Sequence, residues 1–241
     1  MRTSKMRREI ELKKGWVFTG RDGKAVKVDL PHTWNAVDGQ DGGNDYYRGT
    51  CHYSTTFAAP DFDSKTQRVY LEFQGVNSSA EVELNGQKVM SHDGGYSTFR
   101  ADVTEFLTKE NKLEVAVDNS VNDRVYPQKA DFTFYGGIYR DVAVLVTDPV
   151  HIAWYGTWII TPEVSKESAA VEIRTELENQ SLNGQKNEQE RYQLVSVIRY
   201  EGKEVGCIES DCYLEAGAKI EVMKKIHISQ PHLWSPENPA L

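Results

Sequence analysis

Hydrophobic and polar residues alternate along much of this chain with a period of two. Val82 and Leu84 fall on one side of a pleat, Glu81 and Glu83 on the other, which is the signature of a half-buried strand. Arg68–Phe73 reads Arg-Val-Tyr-Leu-Glu-Phe, dominated by β-branched and aromatic side chains. The same criteria predict strands over Trp16–Thr19, Cys51–Phe57, Ala80–Asn85, Thr98–Asp102, Lys112–Asp118 and Arg140–Thr147. Asn85-Gly86 predicts a two-residue hairpin, because both central positions of such a turn want a positive φ. Thr104–Leu107 is expected to form a short helical turn capped by Thr104.

The pattern breaks at Thr147-Asp148-Pro149, since proline cannot donate to a strand ladder. A second series of strands follows at Ile152–Thr161, Ala169–Asn179, Tyr192–Tyr200, Glu204–Glu209 and Ile220–Ile228. Val171, Ile173, Thr175 and Leu177 alternate with Glu172, Arg174, Glu176 and Glu178, as one strand of a sandwich would. Val195, Val197 and Ile198 repeat the theme. A polar loop, Gln180–Glu190, separates the two. The chain is therefore expected to be all-β. Residues 1–149 have the size of a jelly-roll sandwich, and residues 150–241 that of an immunoglobulin-like β-sandwich.

Composition narrows the function classes. Of 241 residues, 39% are hydrophobic and 27% charged, which suits a folded domain with a real core. Lys and Arg number 28 against 36 Asp and Glu, so the net charge is −8. With no basic block, neither a nucleic acid nor an anionic membrane is an expected partner. No apolar run reaches the ~18 residues of a spanning helix. Met1–Glu9 is polar and basic with no apolar segment behind it, so no signal peptide is expected in this chain. The three cysteines, Cys51, Cys207 and Cys212, do not make a disulfide framework. Cys207 and Cys212 are close enough in sequence for a local bridge, but buried free thiols are expected instead. The scattered histidines offer no metal-ligand spacing, so no structural metal is expected.

Chemistry concentrates in Asp131–Asp141, which reads Asp-Phe-Thr-Phe-Tyr-Gly-Gly-Ile-Tyr-Arg-Asp. A sugar offers hydroxyls at its edges and C–H groups on its faces, and an acid beside aromatic rings can take both. Asn44 and Asp45, next to Tyr46 and Tyr47, have the same character. Set against this, Asp131 could cap a loop, and Gly43–Tyr47 could be a turn with core tyrosines. Retaining glycosidases need two carboxylates about 5–5.5 Å apart. Asp38, Asp41, Asp45 and Asp131 are read as turn-shaping acids rather than such a pair. Gly136-Gly137 is expected to supply a positive φ or a close backbone approach. Arg48 and Arg140 are expected in ion pairs, with Asp141 or Glu72 as partners. Trp34, Trp154, Trp158 and Trp234 are expected to be core residues, Trp154 and Trp158 sharing one buried face.

Four segments together carry a family resemblance: Leu30–Asn35 (Leu-Pro-His-Thr-Trp-Asn), Gly42–Gly49 running into Tyr53, Asp131–Asp141, and Pro231–Leu241. In this order and spacing they resemble the N-terminal part of a glycoside hydrolase family 2 enzyme, most like bacterial β-galactosidases. The resemblance implies a galactose-binding-domain-like jelly roll, then an immunoglobulin-like domain, then a catalytic (β/α)8 barrel. That barrel, with both catalytic glutamates, would lie beyond Leu241, so no catalytic residue is expected here and the chain alone should be inactive. It implies that Asp131 reaches into the barrel's pocket to hold the terminal sugar, in some members beside a sodium ion, and that Asn44 and Asp45 approach the same pocket. No cofactor is expected in the chain itself; sodium or magnesium would belong to the whole enzyme. The implied partners are an oligo- or polysaccharide and the chain's own barrel, with homo-oligomer contacts left open. Export to a bacterial periplasm would suit such an enzyme. A free-standing carbohydrate-binding module, a β-glucuronidase and a β-mannosidase remain as alternatives.

Overall fold

The computed structural model describes residues 7–36, 46–126, 133–181 and 190–239. The chain divides into two compact units, Met1–Thr147 and Asp148–Leu241. Every described element is a strand and every pairing is antiparallel. The first unit is a jelly-roll sandwich and the second an immunoglobulin-like one.

In the first unit, one sheet runs β1 (Arg8–Glu11), β12 (Val142–Thr147), β5 (Arg68–Phe73), β9 (Phe99–Asp102). The facing sheet runs β3 (Ala25–Val28), β2 (Trp16–Thr19), β4 (Thr50–Ala58), β10 (Glu110–Asp118), β7 (Ser79–Leu84), β8 (Gln87–Asp93). Two short strands, β6 (Val76–Asn77) and β11 (Gly137–Ile138), pair apart from both. The inward residues of the two sheets, joined by Ile138 of β11, fill one core around Trp16, Tyr53, Leu71, Phe73, Leu84 and Leu113, all fully buried. Each such side chain contributes about 1.5–3 kcal/mol by leaving water. Phe73 and Phe99 stack across β5 and β9 at 5.0 Å.

The hairpin forms at Asn85-Gly86, with φ of 54° and 77°, and Leu84 opposite Gln87. Thr104 does not cap a helix. Its hydroxyl accepts from Val69 N at 2.9 Å, while Asp102 Oδ1 accepts from Thr104 N at 3.0 Å and Phe106 N closes a turn onto Val103 O. The threonine is spent on tying the turn to β5.

The second unit has a three-stranded sheet of β13 (Val150–Val164), β14 (Ser168–Asn179) and β17 (Lys219–Ser229), and a pair, β15 (Glu190–Tyr200) and β16 (Lys203–Leu214). Val171 faces Ile226 and Leu177 faces Ile220 in register. Two small clusters make the core, one around Val171, Ile173 and Ile226, the other around Leu177, Cys212 and Leu214. Cys207 is exposed, Cys212 buried, and both are free. Five positions apart on one strand, they point to opposite faces and cannot bridge. Trp154 and Trp158 are not buried; they are 41% and 68% exposed. β13 is an edge strand with a register shift between Ile152 and Thr157, opposite Leu177 and Thr175. Five steps on β13 (157 − 152) thus match two on β14 (177 − 175). Even spacing no longer guarantees a shared face once a bulge breaks the pleat. Trp234 is also exposed, so of the four tryptophans expected in a core only Trp34 packs against one.

Candidate functional site

The site is built where three of the motif segments meet. β2 carries Phe18, whose ring stacks on Trp34 at 5.9 Å and lies 4.9 Å from His32. These contacts pin the segment after Leu30 against the sheet. That segment then runs beside β11: His32 N donates to Ile138 O at 2.8 Å, and Thr33 Oγ1 donates to Gly136 O at 2.7 Å. The approach is so close that Gly136 and Gly137 have no room for a Cβ. One on Gly136 would enter the Trp34 ring, and one on Gly137, where φ is +134°, would lie 2.5 Å from His32 O. The double glycine therefore serves both purposes expected of it.

Two buried asparagines lock the arrangement. Asn35 is 0% and Asn119 1% exposed. Asn35 Oδ1 accepts from Gly136 N at 2.7 Å and from Asn119 Nδ2 at 3.2 Å. Asn35 Nδ2 donates to Tyr47 O at 3.0 Å. Asn119 Nδ2 also faces Tyr47 O at 3.3 Å and Phe134 O at 3.2 Å, and its Oδ1 accepts from Gly49 N at 2.9 Å. One amide pair thus satisfies backbone groups of Tyr47–Gly49 and of Phe134–Gly136, chain segments far apart in sequence. Buried amides with every polar atom used are rigid connectors.

Asn44, Asp45 and Asp131 themselves lie outside the described residues. Their described neighbours, Tyr46–Gly49 and Thr133–Gly136, are the ones tied to this clasp. Arg48 sits over both segments. Its guanidinium lies 5.9 Å from the Tyr46 ring and 5.5 Å from the Phe134 ring, and Nε donates to Asn119 O at 2.8 Å. The ion pairs expected for the two arginines do not form with the carboxylates named for them. Glu72 pairs with Arg100 and Arg7, and Asp141 with Lys13. Arg140 instead donates to the carbonyls of Gln74 and Tyr96 and lies over the Tyr139 ring. Backbone carbonyls and ring faces take both cations because each sits where loops, not acidic strand faces, close over it.

Beneath the clasp, Tyr53 and His32 form a buried pair, Tyr53 Oη to His32 Nδ1 at 2.7 Å. Burial pushes the Tyr53 hydroxyl far up and the His32 imidazole down. Tyr53 is thus the donor and a neutral His32 the acceptor. Burial also lowers His92, which stacks on Phe99 at 4.2 Å. Both folded-state values lie below the unfolded value of about 6.5, so the unfolded chain binds more protons. Stability is therefore full above that value and falls as pH drops through it. The first unit should melt lower at pH 5 than at pH 7.5, with His32→Gln flattening the slope. Equal melting temperatures at both pH values would contradict the neutral pair. No group of three or more His, Cys, Asp or Glu among the described residues could hold a metal ion.

Known proteins share the sequence of both units. The family model described as "Glycosyl hydrolases family 2, sugar binding domain" matches residues 25–149, and "Glycosyl hydrolases family 2" matches residues 150–241. The chain is 34% identical over 241 residues to a β-glucuronidase of Bacteroides fragilis, covering 95% of this chain and 33% of that protein. It is 31% identical over 228 residues to a β-galactosidase of Bacteroides ovatus, covering 89% and 25%. The crystal structure of a Bacteroides uniformis β-glucuronidase superposes with a TM-score of 0.81 at 29% identity, over 98% of this chain and 29% of that one. The chain spans about a third or less of the length of these relatives.

Proposed function

This chain belongs to family 2 of the glycosyl hydrolases, and from that premise we propose that it forms the non-catalytic N-terminal domains of a longer retaining β-glycosidase. The clasp at Asn35 and Asn119 carries the reading. It gives the segments bearing Asn44, Asp45 and Asp131 a common rigid anchor, which is what a pocket rim needs. The proposed roles are hydroxyl recognition: Asp131 and Asp45 accept from sugar hydroxyls in charge-assisted bonds, and Asn44 donates or accepts. The two carboxylates that do the chemistry would come from a barrel domain, one as acid/base and one as nucleophile. Where a sodium ion takes part, Asp131 is the ligand this chain would offer, the remaining ligands coming from that barrel; a magnesium ion would lie wholly outside the chain. Export to the periplasm fits a glycan-degrading role.

The substrate proposed is a terminal β-galactoside, following the motif resemblance. A β-glucuronide is the second reading, favoured by the 34% identical relative from Bacteroides fragilis. Turnover of nitrophenyl β-galactoside against nitrophenyl β-glucuronide by the longer enzyme separates them. In that enzyme Asp131→Ala should lower kcat/KM by about 10–100-fold, the size expected for one lost charge-assisted bond in the transition state. An unchanged kcat/KM would remove Asp131 from the rim. The 241-residue chain alone should turn over neither glycoside.

A further inference from the structure

The outward face of the β3-to-β8 sheet carries a groove of about 660 Å³, unrelated to the clasp in its lining except through the strand end at Asp118. Its origin lies in the alternation. The outward positions of β10 are Glu110, Lys112, Glu114, Ala116 and Asp118. Ala116 is the one short side chain in that row, and it stands in register with Glu81 on β7 and His52 on β4. The notch over Ala116 is closed at one end by Ser120–Arg124.

That end wall is braced. Asn122 Nδ2 donates to Ser79 Oγ at 3.0 Å and to Asp93 Oδ1 at 3.1 Å, and Arg124 Nε donates to Asp93 Oδ2 at 2.7 Å. The Arg124 and Ser79 bonds hold the Asp93 carboxyl down to about 2. Asp93 therefore stays ionised and consumes the Arg124 charge from behind. Asp118 is fixed by Thr50 Oγ1 on one oxygen and by Ser120 N at 2.6 Å on the other. What faces the groove is a methyl floor at Ala116, an apolar lip at Val121, which is 74% exposed, Arg124 in its pair with Asp93, and the carboxylates of Glu81, Asp118 and Asp123, Glu81 being paired with Lys88 at 2.7 Å.

We propose that this groove is a second carbohydrate site, taking one or two neutral pyranose residues of a glycan. Its volume lies within the ~300–1,000 Å³ of small-molecule sites. The C–H face of a pyranose would lie on Ala116 and Val121, and its hydroxyls would donate to Glu81 and Asp118. Side chains already held by neighbours lose little entropy on binding. The carboxylates of Asp118 and Asp123 repel a uronate, so the site selects neutral sugars over acidic ones. A neutral chain extending from a cleaved terminus is the ligand this chemistry fits. The inference uses none of Asn44, Asp45 or Asp131, so its failure leaves the pocket-rim reading untouched.

Amide chemical shifts of the ¹⁵N-labelled 241-residue chain test it, titrated with methyl β-galactopyranoside, methyl β-cellobioside and methyl β-glucuronide to about 50 mM, the range of millimolar binding. Saturable shifts are expected at Glu81, Ala116 and Ser120 with at least one neutral glycoside, at least ~10-fold weaker with the glucuronide. Ala116→Tyr fills the notch at an outward strand position where tyrosine is well tolerated, and should abolish them. Val121→Asp, on this largely exposed lip, should weaken them several-fold without touching the core. No saturation with either neutral glycoside, equal binding of the glucuronide, or shifts that persist in both variants would overturn the site.

Discussion

Gly137→Ala should prevent the first unit from holding its native sandwich. The residue sits at φ +134°, a region that costs an L side chain about 1–3 kcal/mol by itself. The added Cβ would then stand 2.5 Å from His32 O, 2.8 Å from Tyr53 Oη and 3.0 Å from Thr33 Cα. Two of those three are backbone atoms, and neither can swing away. His32 is bound to Ile138 O through its own N–H, and Gly137 is paired with Asn77 in β11 and β6. Relief requires the Leu30–Asn35 segment to lift off β11. The combined cost should exceed about 4 kcal/mol, a large part of the 5–15 kcal/mol that holds a domain together. Gly136→Ala is the control. The three atoms nearest its Cβ belong to the Trp34 side chain rather than to backbone, and Gly136 has no positive φ to add strain, so the loss should be smaller. Urea unfolding followed by near-ultraviolet circular dichroism would measure both. A Gly137→Ala chain within about 1 kcal/mol of the parent would show that the close approach of the two segments is not what holds the site.

How much of this was legible in the sequence depends on burial at each strand. β2, β5 and β14 could be read because one face meets the core and the other meets water or charge. β1 and β3 could not, because β1 is exposed throughout and β3 nearly so, and an edge strand with both faces wet has no reason to alternate. β16 was expected to end at Glu209 and runs on to Leu214. Ser210, Cys212 and Leu214 continue its inward face, but small polar residues in that stretch hid the period. Trp154 and Trp158 were misplaced because a bulge is invisible to a rule of even spacing.

The site divides the same way. Leu30–Asn35 and Gly136-Gly137 stood out by their residue types, and the structure brings them into contact. Asn119 did not stand out. It follows Asp118 at the end of a strand, where an asparagine ordinarily marks a turn. Its role depends on partners about 70 residues upstream at Tyr47–Gly49 and 15 downstream at Phe134, and no local pattern records that. The one available signal was an amide directly after a strongly alternating strand and before a polar stretch.

Asn119→Ala therefore carries the second large expectation. The substitution removes one donor group and one acceptor from a site 1% exposed to solvent. It leaves Gly49 N without its 2.9 Å acceptor and removes the 3.2 Å bond to Phe134 O. Tyr47 O keeps Asn35 Nδ2, so that carbonyl is spared. An orphaned buried N–H costs about 1–3 kcal/mol and each further lost bond about 1 kcal/mol, and the small cavity adds to it. A loss of about 3–5 kcal/mol follows, or roughly 6–15 °C in melting temperature for a unit of this size. Asn119→Asp tells hydrogen bonding from volume. The carboxylate can still accept from Gly49 N, but it turns an acceptor toward Phe134 O, Tyr47 O and Asn35 Oδ1. It should therefore be at least as damaging as alanine despite filling the space. Were packing alone at stake, aspartate would restore most of the loss. In the longer enzyme the same two variants, assayed well below their melting temperatures, should lower kcat/KM, because the segments carrying Asn44, Asp45 and Asp131 would lose their common anchor. A variant that melts early yet keeps full kcat/KM in the cold would separate the clasp's structural role from the rim it is proposed to position.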